Sequence, residues 1–322
     1  MDHAGDDFDG DIFIYRGRRA PLHVTHVLID KSVDEIEDNA FRGCTHLLKV
    51  DTHDGLRKIG KNSFYNCKSL RRINLKSTVE IDALAFCGCE NLESVEFGDR
   101  LETIGENAFM YCYSLKYLKL PSIITIGTCA FYYCHRLTDI ELSGRLETIG
   151  ARAFRNCERL QRIAVPLKRD LFVYDNRLQK YNQFDKCEQL STVDIVGGIH
   201  KTVASLHMES WKTDMNEEIN RINQVLPNTP ADEKTAEIRQ WMESILDKVD
   251  HYKAEHNRYV KEGITLLELA LWKAKLDEKE ECAAEGKAKK VKVDAESARK
   301  DKRMKCGADM VINNVLPFLQ LE

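Results

Sequence analysis

The segment TIGENAFMYCYSLKYLKLP at residues 103–121 is followed by two variants of itself, TIGTCAFYYCHRLTDIELS at 125–143 and TIGARAFRNCERLQRIAVP at 148–166. The shared pattern is I-(G)-x-x-A-F-x-x-C-x-x-L-x-x-(I/V/L)-x-(L/F/V). Six copies in register share an isoleucine (Ile36, Ile59, Ile81, Ile104, Ile126, Ile149), a phenylalanine (Phe41, Phe64, Phe86, Phe109, Phe131, Phe154) and a cysteine (Cys44, Cys67, Cys89, Cys112, Cys134, Cys157). The phenylalanines are 23, 22, 23, 22 and 23 residues apart, which is the period of a solenoid.

Each repeat is too short to bury a core alone, so the repeats are expected to stack and share one. The L-x-x-I-x-L part alternates apolar and polar residues, which predicts a short strand. The A-F-x-x-C-x-x-L part has helical spacing and predicts a short helix or 3₁₀ turn. Glycines at 60, 105, 127 and 150 are expected to permit the backbone turn between the two parts. The predicted fold class is an α/β repeat solenoid of short parallel strands with short helical turns, followed by a C-terminal α-helical hairpin.

The A-F-x-x-C-x-x-L unit with I-G before it resembles the BspA-like leucine-rich repeat over about residues 24–196. That family is known from bacterial surface proteins and from unicellular eukaryotes, including algae. The resemblance implies a leucine-rich-repeat stack that serves protein binding or adhesion without catalysis. Because no export signal is visible in this chain, we expect an intracellular member of the family rather than an adhesin.

The cysteines have a structural explanation in the repeat. The chain holds 11 of them, an odd number, and no secretory signal is visible, so a disulfide framework is not expected. The six cysteines in register recur on the buried side of the turn, where a small apolar side chain packs well. We expect a ladder of reduced, buried thiols.

The pattern divides the chain into four parts. Residues 1–23 are an acidic N-terminal segment and cap, and residues 24–198 are the solenoid, with an irregular loop at 166–186 before a last, capping repeat. Residues 199–281 show apolar residues at heptad spacing and predict a helical hairpin or coiled-coil segment. Residues 282–322 are a basic linker followed by an apolar segment. The helical part either caps the solenoid or binds separately, and it is a candidate for self-association.

Composition and charge favour a soluble protein. Hydrophobic residues make up 43% of the chain and the net charge is −4, which implies neither a strongly basic nor a strongly acidic partner. The longest apolar runs fall far short of the ~20 residues that cross a bilayer. We expect a cytoplasmic protein without a membrane partner. The run Lys287–Lys292 resembles an import signal, so a nuclear location is the alternative.

One segment suggests an alternative, catalytic function. Gly197–Thr202 places glycines and Lys-Thr between a strand and a helix, as phosphate loops do, and would suit a nucleotide-binding or hydrolytic enzyme. The loop is short, and His200 stands where the glycine before the lysine is needed, so a simple helix-capping turn is the preferred interpretation. We predict that the protein is not an enzyme and that it uses no cofactor or metal.

The outward strand positions form the candidate binding site. Repeat proteins bind partners on this face because its backbone is fixed while its side chains can vary. Nucleic acid is an unfavoured partner because the face carries no basic stripe, so the expected partner is a protein. The predicted partner-binding residues are Arg72, Asn74, Glu96, Tyr117, Lys119, Asp139, Glu141 and Arg162. Tyr65, Tyr111, Tyr132 and Tyr133 on the turn side are either exposed anchors or half-buried covers of the solenoid.

Overall fold

The computed structural model describes residues 8–9, 12–196 and 209–285. The strands are β1 (Phe8–Asp9), β2 (Ile12–Tyr15), β3 (His26–Ile29), β4 (Glu35–Ile36), β5 (Lys49–Asp51), β6 (Lys58–Ile59), β7 (Arg72–Leu75), β8 (Glu80–Ile81), β9 (Ser94–Phe97), β10 (Thr103–Ile104), β11 (Tyr117–Lys119), β12 (Thr125–Ile126), β13 (Asp139–Glu141), β14 (Thr148–Ile149), β15 (Arg162–Pro166) and β16 (Thr192–Val196). The helices are α1 (Glu209–Val225), a 3₁₀ turn (Leu226–Asn228) and α2 (Lys234–Glu285).

The longer strands confirm the predicted parallel stack. One strand of each repeat lies beside the equivalent strand of the next, in the order β2-β3-β5, then β7-β9, then β11-β13-β15-β16, and each of these pairs is parallel. Hydrogen bonding is interrupted between β5 and β7 and between β9 and β11, and we call the whole row the long-strand sheet. At its N-terminal end, β1 pairs antiparallel with β2. Alternate residues are buried, as in Arg72–Leu75 with its exposed–buried–exposed–buried pattern. The alternation of apolar and polar residues in the sequence therefore predicted correctly which side chains face the core.

A second parallel sheet was not anticipated. The two-residue strands β4, β6, β8, β10, β12 and β14 pair in sequence through the isoleucine that opens each repeat. The glycines after these isoleucines have a different role from the predicted one, because positive φ among the described glycines occurs at Gly17, Gly43 and Gly88. A Cβ on Gly127 would lie 2.6 Å from the backbone nitrogen of Glu106. Glycine therefore permits close stacking of successive repeats rather than a left-handed turn.

The crossing segment consists of hydrogen-bonded turns rather than a helix. In the repeat that contains Phe109, four N–H groups bond within the repeat to the carbonyl three residues earlier, at 3.2–3.3 Å. The alternate N–H groups, those of Asn107, Phe109 and Tyr111, bond to the next repeat at 2.8–2.9 Å. Asn107 and Tyr111 have φ of 55° and 62°, and left-handed residues four apart prevent a continuous right-handed helix. The helical spacing in the sequence thus marked a buried side, not a helix.

Stacked phenylalanines form the core of the solenoid. Phe41, Phe64, Phe86, Phe109, Phe131, Phe154 and Phe184 are fully buried. Successive rings lie 4.9–5.7 Å apart between centroids and are nearly parallel, within 12°. At the N-terminal end Tyr15 replaces the phenylalanine, with its ring centroid 5.0 Å from that of Phe41. Each ring thus needs neighbours on both sides, which is why no single repeat is a stable unit.

The irregular loop contains a substitute for the missing isoleucine strand. Phe172 forms a parallel bridge with Ile149, and the N–H of Val173 donates to the carbonyl of Ile149 at 2.9 Å. Leu171 and Phe172 are buried. The segment therefore continues the short-strand sheet by one rung, after which an added turn bridged by Asp175 and Lys180 returns the chain to the repeat.

The helical hairpin caps the last repeat. The side-chain oxygen of Asn223 accepts from the N–H of Val193 at 2.8 Å, and Thr235 Oγ1 accepts from the N–H of Phe184 at 2.9 Å. The buried Lys234 Nζ donates to the carbonyls of Glu188 and Leu190. These bonds satisfy backbone groups that the end of a stack would otherwise leave unpaired. Of the two alternatives for the helical part, the residues up to Val249 therefore cap the solenoid.

Only the first part of the predicted heptad pattern in α2 is buried. Ile238, Met242 and Ile245 lie in the core together with Trp241, whose Nε1 donates to the Glu218 carbonyl of α1 at 3.0 Å. A boundary between two compact units falls within α2, between Val249 and Asp250. In the second unit the pattern continues through residues that are largely exposed, including Tyr259 and Leu266.

Candidate functional site

The predicted site residues form two columns on the outer face of the long-strand sheet. Parallel pairing places Tyr117 beside Asp139 and Asp139 beside Arg162 in one column, and Lys119 beside Glu141 in the other. The same register places Arg72 beside Ser94 and Asn74 beside Glu96. Neighbours in a column are about 4.8 Å apart. We call the two columns together the strand face.

All eight predicted residues are at least partly exposed. Arg72, Asn74, Glu96, Tyr117, Lys119, Asp139 and Glu141 are exposed, and Arg162 is half-buried. Tyr117 has the largest exposed fraction of the aromatic residues on this face, at 55%. The structure thus brings the predicted residues onto one surface, although the ladder is interrupted between β9 and β11.

Ion pairs on the strand face include partners that the sequence reasoning missed. Lys76 Nζ lies 2.8 Å from Glu96 Oε2, and Arg162 Nε lies 2.6 Å from Asp194 Oδ2. Lys119 Nζ lies 3.6 Å from Glu141 Oε2. The pKa of Glu96 is lowered by the hydrogen bond from Lys76. Asp194 occupies the outward position of the last strand, so the repeat pattern itself could have identified it.

A cluster of aromatic rings lies on the turn side of the solenoid. Tyr132 and Tyr133 are 4.4 Å apart between ring centroids, Tyr111 is 5.5 Å from Tyr133, and Tyr113 stacks on His135 at 5.4 Å. Tyr111, Tyr132 and Tyr133 are half-buried, and burial raises the pKa of Tyr132 and Tyr113. The rings cover one another, which supports the interpretation of Tyr111, Tyr132 and Tyr133 as covers of the solenoid.

The cysteine ladder has a hydrogen-bonding role as well as a packing role. The six in-register cysteines are fully buried. Five of them donate from Sγ to the carbonyl of the phenylalanine in the preceding repeat, as Cys112 does to Phe86 at 3.3 Å. Burial raises the pKa of all six thiols, and for Cys44 it raises the pKa to about 11. The neighbouring Cys87, which is not part of the ladder, also has its pKa raised to about 11 by burial. These thiols are protonated donors at neutral pH and poor nucleophiles.

We therefore expect native thiol labelling to be selective among the nine cysteines of the described solenoid. Cys129 is half-buried whereas the other eight are buried, so Cys129 should react first, and Cys112 and Cys134 only after unfolding. Mass spectrometry after a short pulse of a thiol reagent checks this order. Rapid native labelling of Cys112 or Cys134 would contradict a closed ladder.

Three segments on which other sequence-based predictions rest lie outside the described residues. This applies to the Gly197–Thr202 turn, the acidic residues 1–7 and the basic run Lys287–Lys292. Within residues 8–9, 12–196 and 209–285, no cluster of three or more His, Cys, Asp or Glu residues is arranged to hold a metal ion. None of the helices in that part of the chain has the length and apolarity needed to cross a membrane.

The geometry defines a class of protein: a repeat solenoid with a row of parallel strands, an outward strand face and an end that is capped by helices. A family model, described as the BspA type leucine-rich-repeat region, matches six copies over residues 21–122, 74–176 and 102–212. These matches cover more than half of the chain, so the protein belongs to the BspA-type leucine-rich-repeat family.

Solved structures of leucine-rich-repeat proteins are among the matches. A Bacteroides ovatus protein is 22% identical with a TM-score of 0.37, over 53% of this chain and 55% of the other. A protein from T. pallidum is 23% identical with a TM-score of 0.38, over 62% of this chain and 90% of the other. The chain thus spans little more than half of the Bacteroides ovatus protein. Comparison with curated proteins gives no significant match.

Proposed function

We propose that this protein is a non-catalytic scaffold that binds another protein through the strand face. The observation that carries the proposal is the fixed array of outward side chains centred on Tyr117. Parallel pairing holds the backbone on the C-terminal side of Tyr117 over three further strands, so little backbone order has to be gained on binding. Membership of the leucine-rich-repeat family supports the proposal, because such repeats commonly serve as interaction scaffolds.

Tyr117 is the proposed anchor of the partner. Its ring is 55% exposed and stands near the middle of the strand row, where a partner can contact neighbours on both sides and exclude water. Tyrosine offers a large contact area with few rotatable bonds, and it is enriched among residues that dominate binding energy.

Charges around Tyr117 provide selectivity. Lys119 and Glu141 are paired with each other, and both remain more than half exposed. Among the described residues, no ion pair within 4 Å includes Arg72 or Asp139, which lie on either side of Tyr117 along the column. A partner with an acidic group facing Arg72 and a basic group facing Asp139 would be complementary. Both signs of charge on one face favour a protein over a nucleic acid.

Changing Tyr117 to alanine together with Lys119 to glutamate should weaken partner binding by about 2 kcal/mol or more. The free energy of unfolding should change by no more than about 1 kcal/mol, because both side chains point to solvent and the Lys119–Glu141 pair that is lost is exposed. The partner is first isolated by affinity capture with the full chain, and its affinity for each variant is then measured by titration calorimetry.

The matched control places the same two types of change on the turn side. Tyr113→Ala with Lys68→Glu alters an exposed tyrosine and an exposed lysine away from the strand face. The control should bind the partner normally. Normal binding by the strand-face variant and loss of binding by the turn-side variant would move the site to the aromatic cluster.

A further inference from the structure

The second unit of the chain carries an exposed apolar face on α2. Leu266, Leu267 and Leu271 are 67%, 59% and 51% exposed, and Tyr259 is 55% exposed. At about 100° per residue, these four side chains share one side of the helix with Ile264 and Ala270, over an arc of roughly 160°. We call these six residues the leucine face. Leu269 and Trp272 are also exposed but project outside this arc.

A glycine lies near the middle of the leucine face. Gly263 follows Tyr259 by one turn and precedes Leu266 and Leu267, and a Cβ built on it would meet nothing within 4 Å. Glycine is unfavourable in the interior of a helix, and no contact with the described residues accounts for it here. A small residue within an apolar stripe allows the backbone of another helix to approach closely.

The apolar area matches what a second helix of the same kind would cover. The leucine face exposes on the order of 500 Å² per chain, which is at the upper end of what monomeric proteins leave open. Two such faces together supply about 1,000 Å², the lower limit for a specific interface. We propose that the leucine face binds the leucine face of a second copy of this chain, with the two helices antiparallel.

Charge complementarity supports the antiparallel arrangement. A two-fold axis midway between Leu267 and Glu268 brings residue 262 of one copy to the level of residue 273 of the other. These positions hold Glu262 and Lys273, and both lie on the same edge of the leucine face. The antiparallel pair therefore places two Glu262–Lys273 contacts across the interface, whereas in a parallel pair these two residues lie at different levels and form no such contact. Opposite charges beside an apolar seam set the orientation of paired helices.

Sedimentation velocity of the full chain, from micromolar to sub-millimolar concentration, tests the pairing. The sedimentation coefficient should rise with concentration from that of a monomer to that of a dimer. A monomer throughout the range, or a trimer, would overturn the proposal. Strand-face variants such as Tyr117→Ala should leave this equilibrium unchanged, which separates the dimer from the proposed scaffold function.

Leucine variants locate the interface. Leu267→Glu with Leu271→Glu should raise the dimer dissociation constant at least about tenfold, because it buries charge at the seam. Leu22→Glu, a matched change at a leucine that is 58% exposed elsewhere, should have no effect. Circular dichroism checks that each variant keeps its helix content. A dimer that is unaffected by the double change would place the contact elsewhere and overturn the proposal.

Charge exchange tests the orientation directly. Glu262→Lys and Lys273→Glu should each weaken the dimer about three- to tenfold, because each creates two like-charge contacts. The double exchange should restore the original affinity, and a mixture of the two single variants should form heterodimers in preference to homodimers. Single variants that dimerise as well as the unaltered chain would rule out the antiparallel pair.

Discussion

Replacing Phe109 with alanine should lower the free energy of unfolding by about 3–5 kcal/mol. Phe109 is fully buried, and its ring lies 5.0 Å from that of Phe86 and 5.3 Å from that of Phe131. The edge of Phe97 contacts it at 5.9 Å. The change leaves a cavity between two repeats, and their hydrogen-bonded backbones limit how far the cavity can collapse. The cost therefore includes both the lost transfer free energy of the ring and the free energy of the cavity.

Urea denaturation followed by circular dichroism measures this loss. Tyr117→Ala is the control, because it removes an aromatic ring of similar size from the surface and should change stability by no more than about 0.5 kcal/mol. A loss below about 1 kcal/mol at Phe109 would mean that the phenylalanine stack contributes little to stability.

Replacing Asp175 with alanine should also be costly, by about 3–5 kcal/mol. Asp175 Oδ2 accepts hydrogen bonds from Arg152 Nε at 2.6 Å and from Asn182 Nδ2 at 2.7 Å, and Oδ1 accepts from two backbone N–H groups. The Asp175 side chain is 5% exposed. Alanine would leave these donors without their acceptor and release the irregular loop from the last repeats.

Arg162 and Asp194 provide a matched control for this pair. Their Nε–Oδ2 distance is also 2.6 Å, but the two side chains are 41% and 38% exposed. Asp194→Ala should cost no more than about 1 kcal/mol, because water replaces a lost surface ion pair. Equal losses in denaturant melts of the two variants would contradict the argument from burial.

The same network predicts a pH dependence. Burial alone would raise the pKa of Asp175, but the hydrogen bonds from Arg152, Asn182 and the backbone outweigh it and hold the pKa well below its usual range. A depressed folded-state pKa stabilises the fold above the unfolded value of about 4, and this contribution is lost as the pH falls towards the folded value. Asp175→Ala should therefore flatten the loss of stability below about pH 4.

The repeat pattern predicted much of the fold because its physical basis is local. Alternation in Arg72–Leu75 determines which side chains are buried, and the 22–23-residue period determines which strands are neighbours. Features that depend on contacts between segments were missed. No sequence pattern indicates that Phe172 pairs with Ile149, or that Thr235 and Asn223 accept the N–H groups of the last repeat.

The hairpin also stabilises the end of the phenylalanine stack. An uncapped last repeat would tolerate loss of Phe184 better than loss of Phe109. Phe184 is fully buried, and Thr235 of the hairpin bonds to its backbone N–H. We therefore expect similar losses for Phe184→Ala and Phe109→Ala.

The positions of the candidate site residues were predictable, but their pairing was not. The outward positions of Tyr117, Lys119 and Asp139 follow from alternation alone. Whether a charged residue is paired depends on the rotamers of its neighbours: Arg162 bonds to Asp194, whereas Asp139 has no ion-pair partner within 4 Å among the described residues. The rings of Tyr113 and His135 stack because equivalent positions of successive repeats are neighbours. This contact could have been predicted from the alignment of the repeats.

Site-specific photocrosslinking in the full chain is the most direct test of the strand face as the binding surface. The hairpin must be retained, because its removal would expose the last repeat. A photoreactive phenylalanine analogue is placed at Tyr117, at Tyr113 on the turn side and at Trp272 on α2, and each protein is irradiated in extracts of the cells that make it. We predict one dominant crosslinked protein from position 117 and none of that protein from positions 113 and 272. Crosslinking of the same protein from 113 or 272, with none from 117, would contradict the account.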